Sequence, residues 1–165
     1  MKKMLTVLFT TGVVFLFFWG EAFAAGSSSR PAEDTRPGVS QYNAGVKLMQ
    51  KGKYEKAAKK FEAALKKNPG MAEAHNNLGY SLRKQGSGNY EQALSHYNRA
   101  IELKPDLAEA YMYRGVLHAL MGNENLALED HSKLTRLDRR LADALQAAIA
   151  SGEEPDGLDG LAKEW

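Results

Sequence analysis

Three glycines set the frame of this chain. Gly45, Gly79 and Gly115 lie 34 and 36 residues apart, each inside a run of helical periodicity. A glycine in a helix interior costs about 1 kcal/mol against alanine, so three at regular intervals point to places where two helices cross closely. Other residues keep step with them. Gly52, Tyr54, Ala57, Phe61, Ala64 and Pro69 follow Gly45 by 7, 9, 12, 16, 19 and 24 residues. Gly86 follows Gly79 by 7, and after an insertion of about two residues near Ser87-Gly88, Tyr90, Ala93, Tyr97, Ala100 and Pro105 keep the mutual spacing of Tyr54 to Pro69. From Gly115 the frame continues through Gly122, Ala127 and His131. A period of this length is one supersecondary unit stacked on copies of itself.

The periodicity predicts helix pairs at about 40–51 with 54–67, 72–85 with 90–103, and 107–121 with 124–137, and a last helix at about 140–150 covering the open end. Gly52, Gly86 and Gly122 stand where left-handed caps end the first helices. Asn89 and Asn123 stand at N-cap positions. Pro69 and Pro105 stop the second helices by removing a donor and restricting the residue before them. Ala57, Ala93 and Ala127 are expected opposite the glycines, with Phe61 and Tyr97 as wedges and His131 in the corresponding third place. No stretch has the alternating, β-branched character of a strand.

These residues resemble the tetratricopeptide repeat (TPR) family, most clearly in AEAHNNLGYSLRKQG and NYEQALSHYNRAIELKPDLAEAY. The resemblance covers about Ser40 to Ala150. It implies an all-α solenoid of three helix-turn-helix hairpins plus a C-terminal capping helix, with repeats at about 38–71, 72–107 and 108–141 and the cap at 140–151. The third copy departs from the pattern: Arg114 replaces an apolar residue, Leu134 a small one and Arg139 the closing proline.

The family uses the concave side, lined by the first helices, to receive partner segments. Tyr42, Val46 and Met49, then Asn76, Tyr80 and Arg83, then Met112, Val116 and Ala119 fall at i, i+4, i+7 in the three copies and are expected to form three columns of one groove. The outer columns are apolar. In the central one, Asn76 or Asn77 can donate to and accept from a peptide backbone, and Arg83 with Lys84 can take a carboxylate. The candidate partner-binding residues are therefore Tyr42, Val46, Met49, Asn76, Asn77, Tyr80, Arg83, Met112 and Val116. The family's clamp for chaperone C-termini is not expected, because only Asn77 fits it: Tyr42, Val46, Glu109 and Tyr113 replace its other residues.

The ends of the sequence differ from its middle. Lys2 and Lys3, an uncharged run from Met4 to Trp19, and Ala22-Phe23-Ala24 form a signal-peptide pattern over residues 1–24, with cleavage expected between Ala24 and Ala25. This predicts export to the periplasm of a bacterium, or an inner-membrane anchor facing the periplasm if the segment stays attached. Residues 25–38 read as a flexible linker and 152–165 as an acidic mobile tail. In that tail Leu158, Leu161 and Trp165 share a helical spacing, so folding back onto the stack, or docking on a partner, is the alternative.

Composition excludes several function classes. There is no cysteine, hence no disulfide, thiol catalysis or thiolate metal site. A net charge of +2 exerts no general pull on nucleic acid, and none is expected as partner. The lysines from Lys47 to Lys67 read as a solvated helix face. None of the phosphate-cradling or nucleophile-elbow glycine motifs occurs, and no histidine pair has helical metal-site spacing, so neither catalysis, cofactor nor metal is expected. His118 and His131, in the third hairpin, are the two histidines expected to meet. The expected function is a non-catalytic protein-binding adaptor in the bacterial cell envelope. The alternatives are a self-associating structural protein, an inner-membrane-anchored assembly factor, or a small hydrolase or metal carrier built on those two histidines.

Overall fold

The computed structural model describes residues 35–154 and 162–165; the expected signal peptide, and the linker up to residue 34, lie outside them. Among the described residues the chain forms seven α-helices: α1 Val39–Met49, α2 Tyr54–Lys67, α3 Ala72–Arg83, α4 Tyr90–Leu103, α5 Ala108–Leu120, α6 Glu124–Leu137 and α7 Arg139–Ser151. Every boundary lies within two residues of the sequence expectation. The insertion in the second repeat is a 3-10 turn, Ser87–Asn89, ahead of α4. None of these helices is long and apolar enough to cross a membrane.

Helices pair as α1 with α2, α3 with α4 and α5 with α6, and each hairpin packs on the next. The first helices lie side by side, α1 touching α3 and α3 touching α5. Helix α7 closes the stack by packing on both α5 and α6.

The glycines mark the crossings. A Cβ on Gly45 would lie 2.6 Å from the Phe61 ring, and one on Gly79 would lie 2.8 Å from the Tyr97 ring and 3.0 Å from the Ala93 carbonyl oxygen. The third crossing is built differently. A Cβ on Gly115 would meet Leu145 of α7 at 2.5 Å and Asp130 Cβ at 3.2 Å, so the capping helix supplies the wedge that His131 does not. Arg114 also finds a role here. Its guanidinium donates from Nε and Nη2 to the two carboxylate oxygens of buried Asp130 at 3.0 and 2.6 Å, and from Nη1 to Asn98 at 2.7 Å.

Two local expectations are corrected. Asn89 and Asn123 occupy N-cap positions, but neither side chain makes a capping bond. Asp138 does: its carboxylate accepts from the Leu141 N–H at 3.1 Å at the start of α7.

Candidate functional site

The repeat frame sets Tyr42, Asn76 and Met112 in one row across the first helices, Val46, Tyr80 and Val116 in the next, and Met49 and Arg83 in a third. The apolar members of these rows are not an open wall. Val46, Met49, Met112 and Val116 are fully buried, Tyr80 is 1 % exposed, and all five belong to the main hydrophobic cluster. The i, i+4, i+7 stripe points into the seams between neighbouring first helices, so it packs the stack. Helix α3, flanked on both sides, buries ten residues.

The polar members stand at the edge of this packing and form a connected chain. Asn76 Nδ2 donates to Asn77 Oδ1 at 3.2 Å, Asn77 Nδ2 donates to the Tyr42 hydroxyl at 3.0 Å, and that hydroxyl donates to the Lys163 carbonyl oxygen at 3.0 Å. Burial, with the nearby Glu73 carboxylate adding to it, pushes the Tyr42 hydroxyl well above the ordinary tyrosine range, so it keeps its proton and remains a donor. Beside it opens a cleft of about 370 Å³, lined by Tyr42, Glu73, Asn76 and Asn77, by Lys104 at the end of α4, by Asp106 to Glu109 at the head of α5, and by Ala162, Lys163 and Trp165.

Of the expected mobile tail, residues 155–161 lie outside the described residues, while Ala162, Lys163 and Trp165 line the site. Trp165 pairs through its main chain with one side-chain amide: Asn43 Nδ2 donates to the Trp165 oxygen at 2.8 Å, and the Trp165 N–H donates to Asn43 Oδ1 at 2.9 Å. Its ring lies 5.5 Å from that of Tyr42 and under the Arg36 guanidinium, 4.5 Å from it. Lys47 meets Glu164 at 3.1 Å. Further along, Arg83 Nη2 and Lys84 Nζ reach one Glu154 oxygen at 3.0 and 3.4 Å.

Arg83 is the unusual member. Its side chain is 1 % exposed, stacked at 5.0 Å over Tyr80, and its Nε and Nη1 have no hydrogen-bond partner among the described residues. A buried cation with unused donors is costly, and the arrangement favours a bound carboxylate. The buried Tyr97 hydroxyl lies beside the Arg83 guanidinium; burial pushes its pKa up to about 12 against the pull of that charge.

Asn43 is the site residue that the column pattern passed over. A signal was present: Asn43 lies two residues before Gly45 as Asn77 lies two before Gly79, so the repeat frame itself aligns the two amides.

Histidines meet elsewhere than expected. His75 and His96, not His118 and His131, come together, with Nδ1 atoms 3.0 Å apart between α3 and α4. His75 Nε2 also lies 3.2 Å from the Pro69 carbonyl oxygen. Burial lowers both pKa values, that of His96 to about 4 with His75 adding to the effect.

A TPR-repeat family model matches residues 45–86 and 87–122. No curated protein matches the chain. Solved structures do. The first TPR domain of Spaghetti (RPAP3), bound to an HSP90 peptide, is 19% identical with a TM-score of 0.64, covering 72% of this chain and 94% of that one. The TPR2B domain of yeast Sti1, in its Hsp70 complex, is 20% identical with a TM-score of 0.62, covering 71% and 98%. The Yersinia enterocolitica type III secretion chaperone SycD, in complex with a peptide of the translocator YopD, is 17% identical with a TM-score of 0.61, covering 68% and 89%. With two matched repeats, glycine-centred hairpins and a helix-capped stack, this chain is a tetratricopeptide-repeat protein.

Proposed function

We propose that the protein is a non-catalytic adaptor of the bacterial cell envelope that holds an extended segment of another protein along its first-helix face. The observation that carries this reading is the pairing of Asn43 with both main-chain groups of Trp165, reinforced by the Tyr42 hydroxyl on the Lys163 carbonyl. A side-chain amide that both donates to and accepts from one residue's backbone grips an extended chain whatever its sequence. The structural relatives support the same reading, since those of RPAP3, Sti1 and SycD are complexes with peptides or a chaperone.

The mode of grip differs from a chaperone-tail clamp. Tyr42 spends its hydroxyl on Asn77 and a backbone carbonyl, Val46 is buried, and Glu109 puts a carboxylate on the cleft wall. Specificity comes instead from Arg83, Lys84 and Lys47, which favour acidic residues. The signal-peptide pattern supports export, to the periplasm or to an inner-membrane anchor facing it.

The test is capture from an envelope extract with the wild-type chain and with Asn43→Ala/Lys47→Glu, two half-buried or exposed positions whose substitution spares the core. Partners lost by the variant at unchanged helicity are the expected result. An identical set of captured proteins would exclude this face.

A further inference from the structure

We propose that the concave face is a binding site for an acidic chain segment bearing an aromatic residue, and that its resident occupant is the protein's own C-terminal segment, which a partner must displace. The inference rests on the adaptor reading above and gives it a ligand chemistry and a competitor.

The occupant is held at two separated places. At one, the Glu154 carboxylate lies on Arg83 and Lys84. At the other, Glu164 meets Lys47, and Trp165 is bonded through its backbone to Asn43 with its ring tilted against that of Tyr42. Charge is complementary at both places, Glu154 against Arg83 and Lys84 and Glu164 against Lys47, and residues 152–165 carry five acidic residues against Lys163 alone. Ala162, with no long side chain, is 8 % exposed where the segment enters the cleft.

The same contacts are built to be exchanged. The Lys47–Glu164 pair is 62 and 39 % exposed and adds little, and the Trp165 ring stays 40 % exposed, so water and competitors reach both. Arg83 is the reverse: it is buried, with Tyr97 beside it, and it shares a single Glu154 oxygen with Lys84. An incoming carboxylate that gives Arg83 Nη2 and Lys84 one oxygen each gains what that shared oxygen lacks. Because the resident is tethered, it competes at an effective concentration on the order of millimolar, which weakens every external ligand without touching it.

A fluorescent peptide with the sequence of residues 152–165 is the probe, followed by anisotropy against the full chain. A full-length Glu154→Gln/Glu164→Gln/Trp165→Ala variant, altered only in the occupant, is expected to bind the peptide at least tenfold more tightly than the wild type. Adding Asn43→Ala and Lys47→Glu to that variant is expected to abolish binding with the circular-dichroism spectrum unchanged. Equal binding by the wild type and the occupant variant would overturn the proposal, as would a failure of the occupant variant to bind. A wild-type dimer lost in the occupant variant would overturn the intramolecular form, because the segment would then sit in a second copy. Failure of the peptide experiment alongside partner capture that depends on Asn43 and Lys47 sinks self-occupancy and leaves the adaptor. Peptide binding without such capture sinks the adaptor alone.

Discussion

Asn77 donates its side-chain amide to the hydroxyl of Tyr42 at 3.0 Å, joining the second hairpin to the first through a buried polar bond. The hydroxyl in turn donates a hydrogen bond to the Lys163 carbonyl oxygen, so one atom links two repeats and the C-terminal segment. Tyr42→Phe keeps the ring on Phe61 and Trp165 but leaves the Asn77 donor unmet. The expected loss is about 2 kcal/mol in urea unfolding, with an unchanged denaturant slope.

The glycine crossings are unequal, and alanine substitution separates them. Gly79→Ala sets a methyl against the Tyr97 ring and the Ala93 carbonyl, neither of which yields easily. Overpacking there outweighs the gain in helix propensity, and a net loss of about 1–2 kcal/mol is expected. At Gly115 the obstacle includes the end of the Leu145 side chain, which can rotate away. Gly115→Ala is expected near neutral, within about 1 kcal/mol. Thermal melts of the two variants provide the comparison, and a Gly115→Ala loss equal to that of Gly79→Ala would contradict the assignment.

Arg114 and Asp130 form a two-bond ion pair whose carboxylate is almost wholly buried. Burial holds the Asp130 carboxyl above its ordinary pKa, against the pull of Arg114. Arg114→Ala strands that group, with an expected loss of about 3 kcal/mol. Arg114→Met with Asp130→Leu removes both partners and should recover most of it. Chemical denaturation of the single and double variants measures the coupling.

The histidine pair makes stability depend on pH. His96 binds a proton near 6.5 in the unfolded chain but only near 4 when folded, and the shift of His75 has the same sign. The unfolded state therefore takes up more protons as pH falls from about 6.5 toward 4, and this contribution to stability, complete above that window, is lost across it. The urea midpoint should fall from pH 7.5 to pH 5 more in the wild type than in His96→Gln. Equal slopes would show that the pair does not carry the effect.

Much of the architecture was legible because a stacked repeat writes its packing locally. The glycines, the wedges Phe61 and Tyr97 and the closing prolines each act within one hairpin, a few turns apart in sequence. The third hairpin was less legible. Its wedge is Leu145, from outside the repeat, and Arg114 reads as a defect until Asp130 is placed 16 residues on. Of the candidate site, the polar residues Tyr42, Asn76, Asn77 and Arg83 could be singled out from the helix period. That period did not separate them from Val46, Met49, Met112 and Val116, which fill the seams between helices. One stripe of a first helix serves both the seam and the groove, and only the positions of the neighbouring helices divide it.

The sequence by itself determined the repeat, the hairpins and the helix ends, since all depend on periodicity, backbone conformation and contacts between nearby residues. Tertiary structure alone decided which histidines meet, which inner residues are core, and that Trp165 comes to rest on Asn43, 122 residues before it. Contacts of that range depend on the curvature of the whole stack, the sum of several helix-crossing angles, and no local pattern encodes that sum.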